Sequence, residues 1–389
     1  MVTNFSIATI PEISVNIDVQ KKIPELVLRF GKKVLLVTGN NSFLNSDFSG
    51  TLFTSFEHLK IQMRQVRIVR EPSPADIDQA VDNVVEFNPD VVVGIGGGSV
   101  VDAGKAIAAM IPLHEGVKNY LEDVGTKKHP GTTLPFIAVP TTSGTGSEAT
   151  KNAVLSEIGK EGFKKSLRHN HFIPKYAVID SRLLAGCPAG ITSFSGMDAF
   201  TQLLESYLSV KSNAFTDMLA LDGMKKIRDH LYPAVNDPEN LEARTGMAIA
   251  AFYSGITLAN AGLGVIHGFA QPLGSFFKIP HGIVCGTLMG ISNRITLTRC
   301  TDGNNREALS KYAKAGKIFS EKENKTDRYY AEVLMDSIDK YIADLKIPKL
   351  SEFGVSEKHI EKIVVDTGNK NNPVPLNRDD MIKILEDRI

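Results

Sequence analysis

The chain has 389 residues, 42% of them hydrophobic and 23% charged, which exceeds the size at which one core saturates and predicts two domains. Lys plus Arg and Asp plus Glu both number 44, so no net charge recruits nucleic acid or an anionic membrane, and small molecules are the expected partners. Cys187, Cys285 and Cys300 are odd in number and widely spaced, which argues against a disulfide framework; no window approaches the roughly 18 uninterrupted apolar residues of a membrane span.

In chain order, Met1 to Pro11 has no basic stretch feeding an apolar run, so the cytoplasm is the expected location. Val34 to Thr38 reads as a strand, followed by Gly39-Asn40-Asn41-Ser42. Ser73, ahead of Pro74 and Asp76, reads as the cap of a helix over Pro74 to Phe87. Asp90 to Ile95 is a strand, Ala103 to Met110 a helix, and Pro135 to Val139 and Ala177 to Ile179 are further strands. Strands alternating with helices predict a parallel sheet covered by helices. After Asp180 the β-branched runs give way to helical spacing, as in Asn213 to Leu231 and Glu239 to Ala261, and Arg378 to Leu385 forms a terminal helix after the turn Asn369 to Pro375. Glycines and a proline between Leu183 and Gly190 mark the boundary, giving an α/β domain over 1–185 and an all-helical domain over 186–389.

Two loops carry binding chemistry. Gly94-Ile95-Gly96-Gly97-Gly98-Ser99-Val100-Val101-Asp102 lies between a strand and a helix, where glycines let backbone N–H groups and the helix N-terminus approach a pyrophosphate. A tight turn without ligand would use the same glycines. The second loop, Pro140-Thr141-Thr142-Ser143-Gly144-Thr145-Gly146-Ser147-Glu148, offers small hydroxyls suited to phosphate and ribose and tips the reading toward a nucleotide. Neither is a G-x-G-x-x-G fingerprint or a P-loop.

Asp198 and Gln202 stand four apart on a predicted helix, and His267 and His281 flank a segment containing Gly268, Pro272 and Gly274. One carboxylate and two imidazoles suffice to hold a catalytic divalent metal with a position open for substrate. Taken singly, each has a blander reading, as core histidines and a helix cap.

The motifs Gly96 to Asp102, Pro140 to Glu148, Gly196-Met197-Asp198-Ala199 and Pro280-His281-Gly282, together with Asn372 to Leu376, resemble in order the signatures of the iron-containing, or group III, alcohol dehydrogenase family. The resemblance implies the dehydroquinate synthase-like fold, with an N-terminal dinucleotide-binding α/β domain, an all-α C-terminal domain and an active site between them. It also implies a homodimer or larger homo-oligomer, and hydride exchange between nicotinamide and a small alcohol or its carbonyl. By position, Asp198, His267 and His281 match the family's metal ligands and are the expected catalytic residues. Gly97, Gly98, Ser99, Asp102, Thr141, Thr142, Thr145 and Ser147 would bind cofactor, Lys165 resembles the family's lysine that faces it, and Gly39, Asn41 and Ser73 complete the expected set.

Two departures matter. The family's usual second ligand, a His four residues after the Asp, is Gln202 here, a neutral and weaker donor. Fe(II) and Zn(II) are both expected candidates, and a metal-independent reductase resembling maleylacetate reductases is an alternative. A second family His is replaced by Gln271, which cannot act as acid or base. NAD-preferring relatives usually carry an Asp after the first strand; Gly39 there removes repulsion toward a 2'-phosphate, which favours NADP while still allowing NAD. A lyase of the dehydroquinate-synthase type and a noncatalytic binding protein are the remaining alternatives. His169 and His171 read as a solvated loop.

Overall fold

The computed structural model describes residues 5–40, 42–159 and 162–389. The first half contains strands β1 (Glu12–Val15), β2 (Lys33–Thr38), β3 (Gln62–Arg67), β4 (Val91–Gly96), β5 (Phe136–Pro140), β6 (Asn152–Glu157), β7 (Phe163–Arg168) and β8 (Tyr176–Ile179). Its helices are α1 (Ile23–Leu28), α2 (Asp47–His58), α3 (Pro74–Val84), α4 (Gly98–Met110) and α5 (Ser181–Leu184). Six strands form one sheet in the order β1-β8-β5-β4-β2-β3, parallel at every pairing. Alternation along the central strands explains why they read as unbroken apolar runs: Leu35 and Val37 pack with Ile77 and Val101 beneath α3 and α4, whereas Val34 and Leu36 pack with Ile23 and Leu52 beneath α1 and α2. A sheet buried on both faces has no polar side to show in its sequence.

Four strands lie outside those the sequence predicts, for physical reasons. β3, QMRQVR, is an edge strand whose charged side chains face solvent, a common protection against edge pairing. The short β1 occupies the other edge. β6 and β7 form a separate antiparallel hairpin, and the polar FKKSLR of β7 has no apolar run. Ser73 does cap α3, with a reciprocal bond between its backbone N–H and Asp76, and Pro74 stands in the opening turn. α4 begins at Gly98, five residues before its expected start, so the glycine loop itself supplies the helix N-terminus.

From Ala189 onward every described element is helical: α6 (Ala189–Leu208), α7 (Ala214–Asn236), α8 (Leu241–Ala261), α9 (Val265–Phe276), α10 (His281–Asp302), α11 (Arg306–Phe319), α12 (Asp327–Asp344), α13 (Ile360–Asp366) and α14 (Arg378–Glu386), with two short 3-10 turns. They enclose the largest apolar core, including Phe200, Leu203, Phe269 and Leu288. A smaller cluster, Ala149, Ala177 and Ile179 against Ala248, Phe252 and Ile256, joins sheet and helices. There Gly146, at φ +60°, lies so close to α8 that a Cβ on Gly255 would fall 2.1 Å from the Gly146 carbonyl oxygen. No single helix among the described residues is long and apolar enough to cross a membrane.

Candidate active site and metal centre

The sheet changes direction of winding beside β2, which pairs with β3 on one side and β4 on the other. Crevices at such points, beyond the carboxyl ends of the strands, are where open α/β sheets take ligands. Gly39 follows β2 and Gly97-Gly98 follow β4. The two glycine-bearing loops lie against each other: a Cβ on Gly98 would stand 2.7 Å from Thr145, and one on Gly97 would stand 3.3 Å from Thr142. Thr141 N–H donates to the Gly96 carbonyl at 2.9 Å. Asp102 staples the assembly by accepting from the Ser147 hydroxyl and from Val154 N–H. Beneath them the buried Lys105 donates to Ser147 O, Thr150 Oγ1 and Asn152 O at 2.7–3.0 Å; burial pulls its ammonium down to about 8.

Three helices of the second half converge across the crevice. On α6 the spacing 198, 202, 205 places Asp198, Gln202 and Glu205 on one face. Glu205 accepts from Ile266 N–H at 2.7 Å, at the start of α9, and from His267 Nδ1 at 2.6 Å. A carboxylate only accepts, so this bond holds the Nδ1 proton of His267 and turns Nε2 toward the cluster. That Nε2 lies 3.4 Å from Asp198 Oδ1. His281, the first residue of α10, brings its Nε2 to 3.6 Å from the same oxygen. Asp198 is 2% exposed, and its Oδ1 has no hydrogen-bond partner.

The electrostatics fit a cation at that point. Burial pushes Asp198 up, but His281, His267 and a hydrogen bond from Gln202 overcome it and hold the carboxyl below its usual range. Burial, opposed by Asp198 and reinforced by Lys164 and His267, pulls His281 down to about 4, so its imidazole is neutral at pH 7. Burial opposes a charge on His267, but Cys285, Glu205 and Asp198 outweigh it and raise that ring well above its ordinary value, so positive charge is favoured at this buried point, where a cation can take the place of the proton. These residues therefore fit a divalent metal on their own chemistry.

A cleft of about 680 Å³ unites the two halves of the site, bringing together Gly98, Ser99, Asp102, Thr145, Ser147 and Lys165 with Gln202, His267 and His281. Gln271 lines it as well. Gly39, Gly97, Thr141 and Thr142 follow the ends of β2, β4 and β5 and are not among the residues lining this cleft, the Ser73 hydroxyl is engaged with Asp76 in the α3 cap, and Asn41 lies outside the described residues. His169 and His171 cluster with His129 and Phe172 and do not line the cleft.

Several participants escaped the sequence reading. Cys285 stands one helical turn beyond His281, its Sγ 3.5 Å from His267 Nε2 and 3.7 Å from His281 Nε2; the 281/285 spacing was the available signal. Glu205 was likewise visible as the seventh residue after Asp198. Lys164, paired with Glu71 at 2.7 Å, lines the cleft beside Lys165, which pairs with Asp123 at 2.8 Å. Arg67, on β3, donates to the Asn40 carbonyl and so places a cation at the loop after β2.

Comparison with known proteins places the chain in a family. The family profile described as iron-containing alcohol dehydrogenase matches residues 11–181, and its C-terminal counterpart matches residues 192–389. The chain belongs to the iron-containing alcohol dehydrogenase family. It is 30% identical to the NADPH-dependent butanol dehydrogenase of Clostridium saccharobutylicum, over 92% of this chain and 91% of that protein. It is 29% identical to the NAD-dependent methanol dehydrogenase of Bacillus methanolicus, over 92% of each. An archaeal alcohol dehydrogenase from a halo-thermophilic Red Sea brine pool superposes with a TM-score of 0.90 at 25% identity, covering 100% of this chain and 99% of that one. The protein is accordingly a metal-dependent, NAD(P)-linked alcohol dehydrogenase, with the parallel-sheet and helical halves that the resemblance implied.

Proposed function

We propose that this alcohol dehydrogenase interconverts a small primary alcohol and its aldehyde, using NADP in preference to NAD, with Asp198, His267 and His281 holding a divalent metal, Fe(II) or Zn(II), at the floor of the cleft. The observation that carries this reading is the buried, unpartnered Asp198 Oδ1, with two imidazole nitrogens at 3.4 and 3.6 Å. The metal would supply Lewis-acid polarisation of the substrate oxygen, and the nicotinamide would supply or accept hydride.

The chain's own residues do the positioning. Glu205 locks the His267 ring, and Gln202 hydrogen-bonds to Asp198. The first N–H groups of α4 and the hydroxyls of Ser99 and Thr145 face the cleft as phosphate donors. The loop after β2 carries no carboxylate, and Arg67 adds positive charge there, which supports the preference for a 2'-phosphate. Gln271 cannot carry a proton, so exchange with solvent runs through water or a ribose hydroxyl. The division near residue 185, the cytoplasmic location and the homodimer or larger assembly belong to the same reading.

The test is oxidation of NADPH or NADH by short aldehydes with metal-stripped protein, before and after adding Zn(II) or Fe(II). Metal-restored turnover, faster with NADPH, is the expected result. Equal turnover without metal would place the enzyme with the metal-independent reductases.

A further inference from the structure

The family's second imidazole ligand is absent at position 202, and Gln202 does not occupy its place. Its carbonyl Oε1 accepts from Ser254 Oγ at 3.1 Å, and its amide is turned toward the Asp198 carboxylate. One donor is therefore missing on the α6 side, while an additional one stands on α10.

We infer that Cys285 replaces the lost imidazole, so that the metal of this enzyme is held by Asp198, His267, His281 and the Cys285 thiolate. The inference rests on the metal-dependent reading above and concerns which atoms hold the ion. Donors about 2.0–2.3 Å from a tetrahedral ion stand roughly 3.3–3.8 Å from one another. Four edges of this cluster measure 3.4 Å (Asp198 to His267), 3.6 Å (Asp198 to His281), 3.5 Å (Cys285 to His267) and 3.7 Å (Cys285 to His281). All four ligand atoms lie within 4.8 Å of one another.

The surroundings of the thiol support the same conclusion. A buried free cysteine ordinarily behaves as a small apolar side chain among apolar neighbours. Cys285 is 0% exposed, yet its sulfur faces two imidazole nitrogens and adjoins a buried carboxylate. A thiol proton could serve only one of those nitrogens and would leave Asp198 Oδ1 orphaned, whereas an ion at the centroid satisfies all four. One carboxylate and one thiolate also balance a divalent charge, which a buried site favours. On binding, the thiol bond to hydrogen breaks, the sulfur keeps the electron pair, and the proton passes to solvent; no redox change occurs. A thiolate in the set shifts preference toward Zn(II) and its spectroscopic substitute Co(II), and away from Mg(II) and Mn(II).

The experiment is Co(II) loading of the metal-stripped full-length protein, read by absorption spectroscopy and by metal content after gel filtration. The wild type is expected to retain one Co(II) and to show a near-ultraviolet sulfur-to-cobalt charge-transfer band. Cys285→Ser should lose that band and bind Co(II) at least roughly tenfold more weakly, the lower end of what even outer-shell losses do. Cys285→Ala combined with Gln202→His should regain affinity without regaining the band, which separates ligation from damage to the fold. A wild-type protein that retains Co(II) without the band would overturn the role of Cys285 and leave the metal-dependent reading standing. Failure of the wild type to retain any metal would overturn both.

Discussion

The two walls of the cleft are built on opposite principles. On the sheet side, ligand-facing groups are backbone N–H groups, glycines and small hydroxyls, set by the start of α4 and the loop after β5. On the helical side they are titratable side chains from three separate helices, meeting within 4.8 Å. The first wall depends on what is absent, because a single added Cβ at Gly98 collides with Thr145. The second depends on what is present, because its donors come from separate helices and Glu205 holds the His267 ring among them. A cofactor that enters and leaves suits the first construction, and a resident ion suits the second.

The largest effect should come from breaking the second wall alone. Asp198→Ala removes the ionised carboxylate at the centre of the cluster. Lewis-acid assistance is worth several kcal/mol, so turnover should fall by roughly a thousandfold or more, while NADPH affinity, measured by fluorescence titration, stays within about threefold. A parallel loss of cofactor affinity would mean that the two walls are not separable.

Next in size is a pH effect lodged in the first wall. Glu148, in the loop after β5, is buried, and burial pushes its carboxyl up to about 7 from an ordinary 4.5. With the folded value above the unfolded one, the folded state holds the extra proton between these limits, and stability is lost as pH rises from about 4.5 to 7. The span corresponds to about 3 kcal/mol at most. Glu148→Gln, which keeps shape without charge, should flatten that slope in urea unfolding measured at pH 5 and pH 7. An unchanged slope would relocate the titrating group.

The same contrast explains what could be read from the sequence. The glycine and threonine loops are contiguous, so Gly98, Ser99, Asp102, Thr145 and Ser147, which line the cleft, could be picked out from the sequence, whereas Gly39, Gly97, Thr141 and Thr142 are not among its lining and Ser73 serves the α3 cap. Asp198, His267 and His281 could be singled out by type and order, and the structure brings their side chains together. Their partners were less legible, because Glu205 and Cys285 matter only once α6, α9 and α10 converge, and distances across helices leave no local pattern. Arg67 was missed for a related reason: it reaches the loop after β2 from the edge strand β3, whose polar sequence does not announce a strand. Reading only the loop for a cation overlooked the strand next to it.

The first wall can be sharpened at its closest approach. Gly98→Ala places a Cβ 2.7 Å from Thr145 Cγ2 and 2.8 Å from its Oγ1, so the hydroxyl must swing or the loop must move. Overpacking of this kind typically disturbs a site by 1–3 kcal/mol, which corresponds to roughly ten- to a hundredfold weaker cofactor binding. Metal content, determined by elemental analysis of the purified protein, should be unchanged. Metal loss in this variant would show that strain at the glycine loop crosses the cleft.

The smallest expected effect concerns which cofactor the first wall prefers. Arg67 lies at the carboxyl end of β3, paired in register with Thr38, where β2 gives way to Gly39. Its guanidinium already bonds the Asn40 carbonyl, so it is anchored beside the loop. A charge-assisted bond to phosphate is worth about 1.5–3 kcal/mol, and exposure to solvent reduces that value. Arg67→Ala should therefore raise KM for NADPH about tenfold or less and leave KM for NADH nearly constant, while added salt should weaken the NADPH preference of the wild type more than that of the variant. If both KM values rise together, Arg67 supports the loop instead of reading the 2'-phosphate, and discrimination rests on the missing carboxylate at Gly39 alone.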